Sequence, residues 1–181
     1  MKGIIFNVFE EFIAENFGAE AYEDILEKAD SSTQVFVGPA TYPDEDLFKL
    51  VGLAVEKSGL ELSTALQLFG KFLFDKLASG YPQFLESQTD IKLFLKSVQN
   101  MIHVEVAKMY PESNTPHFEF RDEFETDSRL VIHYISQRNL PDLMAGLIDG
   151  AAEYFNVKVS QSWQAHSEQK NCWIFDLQIE G

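Results

Sequence analysis

The sequence predicts an α+β protein: a helical first part, then an antiparallel sheet that carries one helix. Three observations point there. Apolar residues recur at helical spacing from Ile4 to Met109. Beyond His117 the spacing shortens to alternation, the period of a half-buried strand. A proline-led helical pattern at 141–155 separates the first pair of strand-like stretches from the last pair.

The elements follow in order. Ile4, Ile5, Val8, Phe9, Phe12, Ile13 and Phe17 form the first stripe, and Gly18 stops it. A second helix spans Ala19–Ala29 on Tyr22, Ile25 and Leu26, and Asp30-Ser31-Ser32-Thr33 breaks it. Val35-Phe36-Val37 reads as a short extended piece. Thr41-Tyr42-Pro43-Asp44 starts a third helix with Leu47, Leu50, Val51, Ala54 and Val55, ending at Gly59. A fourth runs over 63–78 with Ser63 as its N-cap, and its stripe of Leu66, Phe69, Gly70, Leu73, Phe74 and Leu77 is broad. Ser79-Gly80-Tyr81-Pro82 ends it, and a brief helical piece follows at 83–86. Asp90 then caps a long helix through Ile91, Phe94, Leu95, Val98 and Ile102 to Met109, where Tyr110-Pro111 stops it. Strands are expected at 117–121 and 128–136, joined by a polar turn, and a closing hairpin at 157–163 and 172–179. No internal repeat or low-complexity segment is visible.

Composition narrows the function. A chain of 181 residues makes one domain, or two small lobes sharing a core. Apolar residues make up 45%, and 16 Phe give more aromatic volume than a small bundle usually carries, which suits an unfilled or ligand-filled interior. The net charge of −15 argues against nucleic acid and anionic membranes as partners. One cysteine, Cys172, allows no disulfide within the chain, and Met1–Asn7 lacks a signal-peptide layout. The expected compartment is the cytoplasm.

Two groups carry chemistry. His103 is the one imidazole in a largely apolar helical stretch, Ser97–Met109. It is either hydrogen-bonded in a core, the commoner case, or a metal ligand. Tyr134, Ser136 and Arg138 share one face if the strand runs on, each about 7 Å from the next. That row would hold an anion with two separated acidic groups, Arg138 gripping and the hydroxyls orienting. The commoner case is a solvated strand end where Arg138 pairs with an acid.

Together these residues carry a resemblance. The helix with Met101-Ile102-His103 and Lys108-Met109, then Thr115-Pro116, then Tyr134-x-Ser136-x-Arg138 resembles the H-NOX family of haem-nitric-oxide/oxygen-binding (HNOB) domains. Bacterial stand-alone members and the haem domain of soluble guanylate cyclase belong to it. The likeness covers nearly the whole chain, starting from Met1-Lys2-Gly3-Ile4-Ile5.

The resemblance implies a single haem domain, with a distal helical lobe over about 1–62, a proximal lobe over 63–181, and haem between them. His103 is implied as the proximal ligand to the ferrous iron of a non-covalent haem b. Tyr134, Ser136 and Arg138 are implied as the clamp on its propionates. Pro116 matches a proline that presses on a pyrrole and keeps the ring non-planar, and Ile5 matches a distal-wall residue. Oxygen-binding members carry a tyrosine where Leu143 stands here. Phe9, Leu73, Leu143 and Leu147 would make an apolar distal side that favours nitric oxide and carbon monoxide and excludes oxygen. The implied action is that of a gas sensor and not an enzyme: the iron–His103 bond breaks on nitric oxide binding, which regulates a separate histidine kinase or a cyclic-di-GMP synthase or phosphodiesterase.

The chain departs from one pattern. Some relatives hold zinc with three cysteines and a histidine. Here Cys172 matches one ligand, but Asn139, Gln161 and Gln164 stand at other positions, and His166 with Cys172 is too few for a closed site. No zinc is expected. His117 and His133 read as surface or sheet-face residues. The competing functional class is a carrier for another apolar anionic ligand without haem. A haem peroxidase is disfavoured, because the distal side offers no acid or base.

Overall fold

The computed structural model describes residues 1–30, 33 and 35–180. Helices α1 (Gly3–Phe17), α2 (Ala19–Ala29), α3 (Asp44–Ser58) and α4 (Leu62–Gly80) come first. They are followed by α5 (Ile91–Ser97), a π turn (Val98–Ile102) and α6 (His103–Met109). Strands β1 (His117–Phe120) and β2 (Arg129–Ile135) precede α7 (Pro141–Tyr154), and β3 (Lys158–Ala165) and β4 (Cys172–Glu180) close the chain. The sheet is antiparallel throughout, in the order β1-β2-β4-β3.

Two apolar cores result. One joins α1, α2, α3 and the first half of α4, with Phe6, Ile13, Ile25, Leu50, Phe69 and Leu73 buried. The other lies between the sheet and α4, α5 and α7, with Phe74, Phe94, Leu130, Ile132, Ile148 and Phe175 buried. Thus α4 serves both, turning Phe69 and Leu73 to one and Phe74 and Ala78 to the other. A division between lobes at 62/63 falls at the start of this shared helix. Where α4 crosses α7 the backbones nearly touch. A Cβ added at Gly70 would lie 2.4 Å from the Leu143 carbonyl oxygen, and one at Gly146 would lie 2.0 Å from that of Gln67.

The expected helices form, with local differences. Asp90 caps α5 as its sequence suggests, accepting from the Leu93 N–H at 2.9 Å. The fourth helix starts at Leu62 with Glu61 before it, so Ser63 is inside rather than capping. α2 ends at Ala29, with Asp30 in the left-handed region at φ 48°. Ser31 and Ser32 of the expected break lie outside the described residues.

The extended piece at 35–37 does not form a strand. Val35 and Val37 are 79% and 60% exposed, and only Phe36 is buried, stacked on Phe6. The backbone just beyond it serves α1 instead. Gly3 and Ile4 donate to the carbonyls of Ala40 and Gly38, satisfying N–H groups that a helix start leaves open. The sequence reads this piece as extended only, and no strand among the described residues lies alongside to pair with it.

Candidate functional site

The two sequence-predicted groups come together through a third residue. His103 opens α6, and its ring centroid lies 5.3 Å from that of Phe118. Phe118 is directly opposite Tyr134 across β1 and β2, with ring centroids 6.0 Å apart. Sequence reasoning missed Phe118. The available signal was the cross-strand pairing of two aromatic positions, which depends on register.

His103 is half-buried, and its Nδ1 is sealed from solvent without a hydrogen-bond partner among the described residues. Burial pushes its pKa down to about 4, against a hydrogen-bonding attraction to the Pro116 backbone, too loose to count as a formed hydrogen bond, and with a small added repulsion from His117. The imidazole is therefore neutral at physiological pH, and a neutral imidazole keeps one ring lone pair with which it can act as a ligand. A buried polar atom left unpaired costs about 1–3 kcal/mol.

Tyr134 and Ser136 are 4% and 7% exposed. Burial raises the Tyr134 pKa, while hydrogen bonds with Ser136 and the Leu140 backbone, and the charge of Arg138, oppose the rise. The extended row does not persist to Arg138. β2 ends at Ile135 and the chain turns, the Asn139 N–H donating to the Ser136 carbonyl at 3.1 Å and the Arg138 N–H to Ser136 Oγ at 3.3 Å. The trio is thus a strand end plus a turn, more compact than a row spaced by strand rise.

Arg138 already has a counter-ion. Its Nε donates to Asp44 Oδ2 at 2.7 Å, and its Nη1 donates to the Asn114 carbonyl. Asp44 is the first residue of α3 and lies 94 positions away in sequence. It also accepts from the Met1 amino group at 2.5 Å. Burial would raise the Asp44 pKa, but the Met1 amino group and Arg138 together hold it below the usual range. In sequence Asp44 looked only like an acidic helix start, and nothing there signals so distant a partner.

The apolar residues divide. Phe9 and Leu73 are packed inside the helical core, 2% and 3% exposed, with Phe9 edge-on to Phe69. Ile5, Leu143, Leu147 and Pro116 are half-buried. Leu147 packs against both cores, and Ile5 and Leu143 against the helical one. A neutral imidazole, a guanidinium two and four residues from two buried hydroxyl side chains, and half-buried apolar side chains have the chemistry that a haem needs: a ligand, a propionate anchor and a low-dielectric surround.

Elsewhere, Asn139 accepts from the Trp173 indole at 2.6 Å, and Gln161 donates to Asp149 at 2.6 Å and to the Ala145 carbonyl at 3.0 Å. Gln164 is exposed. Cys172 is buried, its thiol pushed up by desolvation and by Glu119, with Arg121 opposing. His166 accepts from the N–H groups of Glu168 and Gln169. His117 is exposed, whereas His133 is buried on the sheet face beside Arg121 and His166. Among the described residues, no group of three or more His, Cys, Asp or Glu side chains is placed to hold a metal ion. Nor is any helix among them long and apolar enough to cross a membrane.

Comparison with known proteins shows what the whole chain resembles. The H-NOX protein of S. oneidensis, solved in its Fe(II)NO state, is 27% identical, with a TM-score of 0.91 and 100% of each chain covered. The Fe(II) unliganded H-NOX protein of K. algicida is 26% identical at a TM-score of 0.88, covering 100% of this chain and 97% of that one. Soluble guanylate cyclase 89Db of Drosophila melanogaster is 20% identical over 157 residues, or 86% of this chain. The chain spans only 23% of that protein's length. The haem-NO-binding (HNOB) family profile matches residues 2–162, and with the His103 and Tyr134-x-Ser136-x-Arg138 constellation inside that span the chain belongs to the H-NOX family of haem-based gas sensors.

Proposed function

We propose that this chain is a sensor, without catalytic activity of its own, that takes nitric oxide and carbon monoxide at a ferrous haem b and excludes oxygen. The observation that carries the reading is His103: a neutral imidazole with an unpartnered nitrogen, two aromatic contacts away from Tyr134. Ferrous haem, when bound, supplies the open iron position at which the gas attaches. His103 would hold the iron. Arg138, with Tyr134 and Ser136, would hold the propionates, Arg138 exchanging its Asp44 partner for one of them or sharing both. Pro116 would press on the ring, and Ile5, Phe9, Leu73, Leu143 and Leu147 would enclose its distal side.

Oxygen exclusion follows from what the distal leucines lack. Bound oxygen gathers negative charge, and a hydrogen bond to such a charge is worth about 1.5–3 kcal/mol. Leu143 and Leu147 carry no donor, while nitric oxide and carbon monoxide need none. Release of the His103 imidazole would free α6, which has no fully buried residue to hold it. That is the bistable element a gas can bias. The acidic surface suits a partner with basic patches, a kinase or a cyclic-di-GMP enzyme acting in trans. That action would be cytoplasmic.

The test is spectroscopic. Purified protein, or protein reconstituted with haem, should show a Soret band that shifts with nitric oxide and carbon monoxide. A colourless protein that haem cannot reconstitute would return the chain to the class of carriers for other apolar anions. Leu143→Tyr should raise oxygen affinity on the order of tenfold to a hundredfold. An oxygen titration that shows no gain would remove Leu143 from the distal wall.

A further inference from the structure

The helix that carries His103 is not a regular helix. Val98 donates its N–H to Phe94 in ordinary α fashion, but the His103 N–H reaches Val98, five residues back. The turn between them is therefore π, holding one residue more than an α turn. If the same residues wound as α, everything beyond the turn would rotate by about 100°, the angle one residue subtends. The His103 side chain would then leave the face that Phe94, Leu95 and Val98 present to the core.

A widened turn of this kind needs something to hold it. α5, just before it, is fixed to the β1–β2 connection: Lys92 and Lys96 pair with Glu125 at 2.8 and 2.5 Å. α6, just after it, has one ion pair among the described residues, the internal Lys108–Glu105. Inside the turn, Gln99 Oε1 accepts from the Phe118 N–H at 2.9 Å. β1 is an edge strand, so an N–H on its open side has no strand to pair with and must find another acceptor. Gln99 supplies it. The same bond fixes Phe118, whose ring lies 5.3 Å from the His103 ring.

We propose that Gln99 is a positioning residue for His103, its bond to Phe118 holding the π turn in the register that aims the imidazole between the lobes. This rests on the reading of His103 as the iron ligand. Without the bond the turn has two registers open to it, α and π, and the imidazole has two directions. Gln99 touches neither haem nor gas; it acts through His103.

The experiment compares Gln99→Leu, Gln99→Glu and a deletion of Asn100, an exposed residue of the turn, each in the full chain. In Gln99→Leu, exchange of the Phe118 and His103 amides should quicken on the order of tenfold, haem should be lost faster by a similar factor, and the ferrous spectrum should become a mixture. Gln99→Glu keeps an acceptor and should keep wild-type values. Removing Asn100 leaves a continuous α-helix with His103 still facing inward, so adding Gln99→Leu to that deletion should change the ferrous spectrum little. Faster Phe118 exchange with unchanged ferrous spectrum and haem loss would reduce Gln99 to a strand-edge contact and overturn the proposal. So would a double variant as heterogeneous as Gln99→Leu alone. If the wild-type protein shows no Soret band, the haem reading fails by itself. The positioning claim is then decided by the His103 ring resonances: a shift in Gln99→Leu that Gln99→Glu reverses upholds it, and no shift overturns it.

Discussion

The two ends of the candidate site treat their polar groups in opposite ways. At the Arg138 end every charge is answered: Asp44 and the Asn114 carbonyl take the guanidinium, and Asp44 also takes the Met1 amino group. At the His103 end a buried nitrogen is left unanswered. The contrast follows from cost. A buried charge without a partner is penalised heavily, so the fold supplies Asp44 as a stand-in acid. A neutral imidazole is penalised by about 1–3 kcal/mol, which a domain this size tolerates. The imidazole left without a charged partner is the side chain to which the proposed function gives a ligand.

The largest effect expected from disturbing this contrast is at His103. His103→Gly should abolish the wild-type ferrous spectrum, and added imidazole should restore a ligated one by filling the vacated place. A ferrous spectrum unchanged by the substitution would end the assignment of the open nitrogen.

The next effect is on pH dependence in the haem-free protein. A histidine in water titrates at 6.5, whereas His103 in the fold titrates at about 4. The unfolded chain therefore binds the extra proton between those values, and stability should fall as pH drops from 6.5 towards 4. The loss should reach roughly 3 kcal/mol. Asp44 is depressed instead, so its contribution is present above the ordinary carboxylate range and disappears only as pH falls through its folded value. His133, held down by burial first and by Arg121 second, has the same sign as His103. Denaturation across pH for wild type and His103→Leu separates them: the slope in the window from 6.5 to about 4 should flatten in the variant. Equal slopes would mean that the His103 environment does not exclude its proton.

The smallest effect is at the answered end. Arg138→Ala should lower haem occupancy more than it lowers stability. Asp44 and Arg138 are 26% and 17% exposed, so solvent screens the pair and its loss should cost about 1–2 kcal/mol. Asp44→Asn keeps a hydrogen-bonding group for Arg138 and should cost about 1 kcal/mol or less, with haem retained. Thermal melts with and without haem measure both. If Asp44→Asn lost haem as readily as Arg138→Ala, Asp44 would belong to the clamp rather than stand in for its ligand.

Much of this was legible in the residue order. Helices α1 to α4 declared themselves by apolar stripes and by stops such as Gly18 and Gly59, because each packs one face on a core. Asp90 read as a cap because capping is local. The features missed are those a local pattern does not contain. The π turn hides because Ile91, Phe94, Leu95, Val98 and Ile102 also fit an unbroken α-helix; one surplus residue shows only in the hydrogen bonds. Arg138 was placed on the wrong geometry because alternation does not reveal that β2 ends at Ile135. Its pairing with Asp44 is invisible because it joins the start of α3 to a turn after β2.

The crossing of α4 and α7 limits how the two halves of the protein move against each other. Between Gly70 and Gly146 there is no clearance even for a methyl group. Sliding one helix along the other would drive the neighbouring larger side chains, Phe69 and Leu147 among them, into that gap. The close contact continues along both helices, since a Cβ added at Gly150 would lie 2.7 Å from the Cβ of Phe74. Sliding and rocking are therefore both resisted, and α4 with α7 holds as one unit. Any motion that a ligand drives must be taken up around that unit, where α6 has no fully buried residue to hold it.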